Sequence, residues 1–169
     1  MKGSIKMKLR KFILPIASWI AVILWMSFIF CMSAQPAPES KETSDGVSRI
    51  ILKILVRDFE ELPEETKEAM IENIQHFVRK SAHFCGYALL GILLLNAFSR
   101  HIENTASVLA ISQLCGMTYA ASDELHQRFV PGRSGEIKDI ALDSAGVFCG
   151  IIFAVGLIYL IRRCKNRVR

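Results

Sequence analysis

Asp123, Glu124, Gln127, Asp139 and Asp143 lie within one short stretch between two apolar segments, with Arg133 among them; Lys80 and His83 open another apolar segment. An ionisable side chain at membrane depth costs about 2.5 to 3.5 kcal/mol on insertion scales, so such residues ordinarily face a bundle interior and mark a site. His83 with Asp123, Glu124, Asp139 or Asp143 supplies the parts of a general acid and base. Lys80 and Arg133 supply cations for a phosphate or carboxylate, Arg through a planar fork. Tyr87, Gln127 and Gln35 add hydrogen-bonding groups for a ligand. The same residues also suit binding without turnover. A third reading is a packing network in which Lys80 and Arg133 neutralise acidic partners and His83 is a hydrogen-bonded packing residue.

The spacing places these groups on helical faces. Gly116, Ala120, Asp123 and Gln127 recur at i, i+4, i+7 and i+11, and so do Asp139, Asp143, Gly146 and Gly150. Lys80, His83, Tyr87 and Gly91 lie at i, i+3, i+7 and i+11. Pro131-Gly132 and Ser134-Gly135 are turn signals, which makes the flanking helices antiparallel neighbours. Small residues are expected to let those two helices meet closely, holding the polar ends of their faces together. Lys80 is expected to meet Asp123 or Glu124, and His83 the face carrying Asp139 and Asp143.

Half of the residues, 51%, are apolar and gather in blocks, the composition of a small polytopic membrane protein of one domain, residues 1–169. The net charge of +5 sits mainly at the termini beside apolar blocks, where Lys and Arg act as topology signals, so nucleic acid is not an expected partner. The five cysteines, Cys31, Cys85, Cys115, Cys149 and Cys164, show no paired spacing, which indicates neither a disulfide framework nor a zinc site. There is no His-x-x-x-His spacing, phosphate loop or nucleophile elbow, and no metal or cofactor is expected.

Four spans are expected, at about residues 12–32, 81–98, 105–122 and 140–161, giving an all-α membrane protein with a helical external segment at 35–79. Lys2, Lys6, Lys8, Arg10 and Lys11 precede the first span, and Arg162, Arg163, Lys165, Arg167 and Arg169 follow the last, which keeps both termini cytoplasmic. The first run is longer than a signal-peptide core and reads as an uncleaved anchor. In the external segment Pro36, Pro38 and Ser40 read as an extended linker, followed by a helix capped at Ser44 or Asp45. A second amphipathic helix begins at Pro63, with Glu64 and Glu65 in its first turn, and nothing interrupts it before the second span. Both helices are expected to lie on the outer membrane surface or to cap the bundle. This topology gathers Gln35, Lys80, His83, Asp123, Glu124, Gln127, Asp139 and Asp143 on the outer side, in a polar pocket floored by Tyr87 and small residues.

Asp123-Glu124-x-x-Gln127, Phe129-Val-Pro-Gly-Arg133, Lys138-Asp139 and Asp143-x-x-Gly146 resemble the C-terminal signature of the VanZ-like family of bacterial membrane proteins. Lys80-Ser-Ala-His83-Phe-Cys-Gly-Tyr87 is similar to its earlier Lys-x-x-His-x-x-x-Tyr element, and Met32-Ser-Ala-Gln35-Pro36 to the segment after its first span. The resemblance implies a multi-pass protein of the cytoplasmic membrane linked to glycopeptide (teicoplanin) resistance, touching membrane lipids and a lipid-linked or glycopeptide ligand. It does not supply a reaction. A membrane-embedded hydrolase or transferase acting on a lipid-linked envelope substrate is the alternative, and a partner-binding protein with only a packing ion-pair network is the second.

Overall fold

The computed structural model describes the backbone of residues 2–167 and the side chains of residues 12–167. Five α-helices follow in order: α1 Lys2–Ser33, α2 Ala37–Leu55, α3 Glu64–Phe98, α4 Thr105–Gln127 and α5 Ile137–Arg167, with a 3₁₀ turn at Phe59–Glu61. No strand occurs among the described residues. Residues Phe12–Ser33 of α1, together with α3 and α5, are long and apolar enough to cross a membrane. The expected third span, α4, falls outside that group: Ser107, Ser112, Gln113, Thr118 and Ser122 dilute its apolar content before Asp123 is reached.

The bundle is organised on α3 and α5, which share the most extensive contact. Tyr87, Leu90 and Leu94 of α3 pack with Val147 and Ile151 of α5, and Val22 of α1 and Val108 and Ala120 of α4 complete the core. Lipid tails are as apolar as these side chains, so helix association in a membrane rests on close packing and interhelical hydrogen bonds. Here the close packing comes from glycine. A Cβ at Gly146 would stand 2.5 Å from the Phe84 carbonyl oxygen, and one at Gly150 would collide with that of Ala88. The small-residue face of α5 is therefore turned to α3, as the expected meeting of His83 with the Asp139 and Asp143 face requires, and not to α4 as the turn joining the two helices suggested. The α4 counterpart, Gly116, instead receives the side chain of Val147. Between the two, the chain turns through Gly132, which takes φ +74°, the left-handed region open to glycine without steric cost.

At an ideal rise the 35 residues of α3 run about 50 Å, well beyond the roughly 30 Å of a hydrocarbon core. Its first half, with α2 packed along it, forms a helical hairpin with its own small cluster of Leu52, Phe59 and Ile71. The extended linker expected at Pro36, Pro38 and Ser40 is absent: α2 already begins at Ala37, and Ser44 and Asp45 lie inside it. Proline is tolerated in a first helical turn because its missing N–H would have no intrahelical partner there. α2 packs on the rest of the protein through its serine face and leaves its apolar face outward. Ser40, Ser44, Ser48 and Leu52 are turned inward, while Val47, Ile50, Ile54 and Leu55 are exposed. Ser44 satisfies its hydroxyl locally, donating to the carbonyls of Ser40 and Lys41.

At the other end of the bundle a polar clamp joins α1 to the α3–α4 turn. The Ser18 hydroxyl oxygen accepts from Asn96 Nδ2 at 3.1 Å and from Arg100 Nε at 2.8 Å, and Trp19 Nε1 donates to His101 Nε2 at 3.1 Å. Asn104 caps α4 by accepting from the Ser107 N–H at 2.9 Å. Holding that end fixes the depth at which the helices meet at the opposite end, where the candidate residues gather.

Candidate functional site

The candidate residues reach the site from three helices and two adjoining segments. Lys80, His83 and Tyr87 come from the middle of α3, Asp123, Glu124 and Gln127 from the end of α4, and Asp139 and Asp143 from the start of α5. Gln35 lies just beyond the end of α1, and Arg133 in the loop between α4 and α5. That loop is tied down where two of the sequence motifs meet, since the Ala37 N–H donates to the Pro131 carbonyl at 3.1 Å.

Asp123 is the most heavily bonded of these side chains. Its Oδ2 accepts from the Ser33 hydroxyl at 2.7 Å, the Tyr87 hydroxyl at 3.1 Å and Gln127 Nε2 at 3.3 Å. It thereby joins α1, α3 and α4, and Asp123, Ser33 and Tyr87 are all buried. Ser33 was not among the residues singled out by type, although it lies inside the Met32-Ser-Ala-Gln35-Pro36 motif. Its small hydroxyl carries no charge to draw notice, and only the approach of α4 gives it a role.

A polar cavity of about 130 Å³ lies next to this hub. Lys80, His83, Glu124, Gln127, Arg133, Asp139 and Asp143 all line it, joined by Arg79, which the spacing pattern had passed over. Asp123 does not line it, and Gln35 and Tyr87 face a neighbouring, apolar cavity. Lys80 forms an ion pair with Asp139, in place of the expected Asp123 or Glu124. The reason is register: α5 lies closest to α3 along the glycine seam, so its first turn reaches Lys80, while Asp123 is occupied below. Glu124 has a different task, its Oε2 accepting the Glu136 N–H at 2.9 Å just ahead of α5. A carboxylate there satisfies a backbone donor at the start of a helix and complements the helix dipole. Arg133 donates to Gln127 Oε1 at 3.1 Å.

His83 Nδ1 and Asp143 Oδ2 stand 3.9 Å apart, close enough for one intervening proton carrier or a ligand atom to link them. Asp143 is 1% exposed, and among the described residues neither of its carboxylate oxygens has a hydrogen-bond partner. Among the described residues no group of three or more His, Cys, Asp and Glu side chains is arranged to hold a metal ion.

The ion pair can be tested directly. Both side chains are about a quarter exposed, so removing one charge should cost less than the 3 to 5 kcal/mol of a fully buried pair, roughly 2 kcal/mol. Lys80→Met is expected to lower the thermal midpoint of the purified protein, and Lys80→Met with Asp139→Leu to restore most of it. Equal midpoints for the single and double variants would mean that the two groups do not stabilise one another.

Membrane-capable helices with a polar cavity between them at one end define a class: small helical membrane proteins. The family model described as VanZ/LLP1 matches residues 18–161, and the chain belongs to that family. Neither a curated protein nor a solved structure matches it significantly.

Proposed function

We propose that the protein is a VanZ-like envelope factor of the bacterial cytoplasmic membrane that lowers susceptibility to glycopeptides such as teicoplanin. Its polar cavity opens to the outer face and binds or modifies an envelope ligand. The chain crosses the membrane four times, α4 spanning as part of the bundle, with both termini cytoplasmic. The basic residues that precede the first apolar run and follow the last support this orientation, because Lys and Arg are retained inside. The first set falls at the start of α1 and Arg162 to Arg167 at the end of α5, while Arg169 lies outside the described residues.

Asp143 is the observation that carries the reading. A residue kept only for packing would have its buried oxygens hydrogen-bonded, as those of native proteins nearly always are. Asp143 instead lines a cavity with both oxygens unpartnered, which favours a group reserved for a ligand over a packing network. A membrane-embedded hydrolase or transferase is the second reading, favoured by the nearness of His83. The imidazole would take a proton from water or an acceptor hydroxyl, and Asp143 would stabilise the imidazolium. In that case His83, Asp123, Glu124, Asp139 and Asp143 form the catalytic set, with Lys80, Tyr87, Gln127, Arg133 and Gln35 binding the ligand.

Asp143→Asn keeps the shape of the side chain and is expected to be present at wild-type abundance while abolishing protection against teicoplanin in a strain that depends on the gene. Full protection from that variant would sink the assignment. Envelope lipid and glycan profiles of the same strains separate the two readings: a component that accumulates with His83→Ala indicates turnover, and unchanged profiles indicate binding. Reporter fusions at the C-terminus should read cytoplasmic and those near Glu64 external. A cytoplasmic signal at Glu64 would invert the topology.

A further inference from the structure

Beside the polar cavity lies a larger one of about 200 Å³, enclosed by α1, α2 and α3. Ile29, Met32, Val47, Val78, Ala82 and Gly86 make its wall predominantly apolar. Three side chains, Arg79, His83 and Arg133, line both cavities. The two therefore adjoin at these side chains, one predominantly apolar and the other polar, with guanidinium groups where they meet.

Those guanidiniums are not neutralised. Arg79 and Arg133 are both partly buried, and among the described residues neither has a carboxylate within ion-pair distance; the one side-chain partner of Arg133 is the neutral Gln127. Burial, and after it the charge of Arg79, draws the Arg133 pKa down from its ordinary value, yet a guanidinium stays protonated at physiological pH. The nearby acids are otherwise engaged, Asp139 with Lys80 and Glu124 with the Glu136 N–H, while Asp143 faces His83. Two adjacent cations in a partly desolvated place call for an anion with several acceptor oxygens, and the arginine fork matches phosphate in two parallel hydrogen bonds. The accessible wall of the other cavity is mainly apolar although Gln35, Ser40 and Thr43 border it, so a hydrocarbon chain is the occupant that gives up no hydration there.

We propose, resting on the reading of the polar cavity as a ligand site, that the ligand is a phosphate-headed lipid. Its phosphate is held between Arg79 and Arg133, and part of one hydrocarbon chain lies in the cavity between α1, α2 and α3. The chain leaves past Phe28 and Val47, which line the cavity and are about half exposed, into the surrounding bilayer. The headgroup beyond the phosphate is then directed at His83 and Asp143, the groups left without bonding partners.

Gly86 offers a clean test. It lines the apolar cavity, and a Cβ built on it meets nothing within 4 Å, so the backbone there accepts a side chain, and Gly86→Leu takes up cavity space while improving helix propensity. Protein purified in an uncharged detergent is titrated, by native mass spectrometry, with a lysophosphatidate, with the monoacylglycerol of the same chain, and with inorganic phosphate. The lysophosphatidate is expected to bind at least tenfold more tightly than either of the others. Gly86→Leu and Arg79→Gln/Arg133→Gln should each weaken it tenfold or more at unchanged thermal midpoint. If the double Gln variant does not fold, Arg79→Lys/Arg133→Lys keeps the charge but loses the fork, and should still weaken binding severalfold. Equal affinity for the monoacylglycerol would remove the phosphate from the proposal, equal affinity for inorganic phosphate would remove the chain, and an unaffected Gly86→Leu would remove the cavity. Protection assays separate this from the proposed function. If Asp143→Asn loses protection while Gly86→Leu and the Arg variants retain it, the lipid inference falls alone; if Asp143→Asn retains it, the reading of the cavity as a site falls first.

Discussion

Asp123→Ala is expected to lower the thermal midpoint of the detergent-purified protein by about 10 °C, taking roughly 2 to 4 °C per kcal/mol for a chain of this size. The size of the effect follows from three donors meeting one oxygen. The Ser33 and Tyr87 hydroxyls, both fully buried, and the Gln127 amide all converge on Asp123 Oδ2. A buried donor left without an acceptor costs about 1 to 3 kcal/mol, so losing the carboxylate should cost roughly 3 to 5 kcal/mol in all, the lower end if water enters. Asp123→Asn retains a carbonyl oxygen in the same place and should shift the midpoint by less than half as much. An unshifted midpoint for Asp123→Ala would mean that these donors find other partners and that Asp123 does not bind the three helices together. Because Asp123 does not line the polar cavity, on the binding reading its variants should reduce protection in proportion to the folded protein they leave, unlike those of Asp143; a loss beyond that proportion would favour the catalytic set that includes Asp123.

Gly146→Val is expected to abolish accumulation of the folded protein. Its Cβ alone would stand 2.5 Å from the Phe84 carbonyl oxygen and 3.3 Å from Tyr87 Cβ. Overpacking a rigid site typically costs 1 to 3 kcal/mol and more when backbone is struck, since no side-chain rotamer can relieve it. Here backbone opposes backbone, so α3 and α5 must separate along most of their contact. The same separation would carry Asp143 away from His83 and Asp139 away from Lys80. Gly156→Val is the matched control: it lies on the same helix, nothing stands within 4 Å of its Cβ, and it should accumulate normally. Comparable membrane abundance of both variants would show that the α3–α5 seam is looser than its glycines indicate.

Much of this architecture was legible in the chain. The apolar run expected at residues 12–32 lies within α1 and ends where that helix ends, at Ser33, because spanning length and uniform apolarity are properties of the segment itself. Uninterrupted helical periodicity from Pro63 onward foretold that the external helix and the second span are one helix, α3. The faces pairing Asp123 with Gln127 and Asp143 with Gly146 were visible for the same reason: the helical repeat fixes which residues lie together on one side.

The choice of partner for each face was decided only by the tertiary structure. Spacing made the small residues of α5 suitable for close contact, but whether α3 or α4 received them depended on how four helices share one core, and α3 did. Lys80 therefore met Asp139 rather than Asp123, which was already held by Ser33, Tyr87 and Gln127. That α2 meets the bundle through its serine face was likewise open in the sequence, since periodicity marks a face as different without saying which side the core will lie on. Arg79 and Gly86, unremarkable in the sequence, acquire meaning from the cavities that they line. A cavity is the space that several helices fail to fill, so it belongs to their packing and to no single stretch of chain.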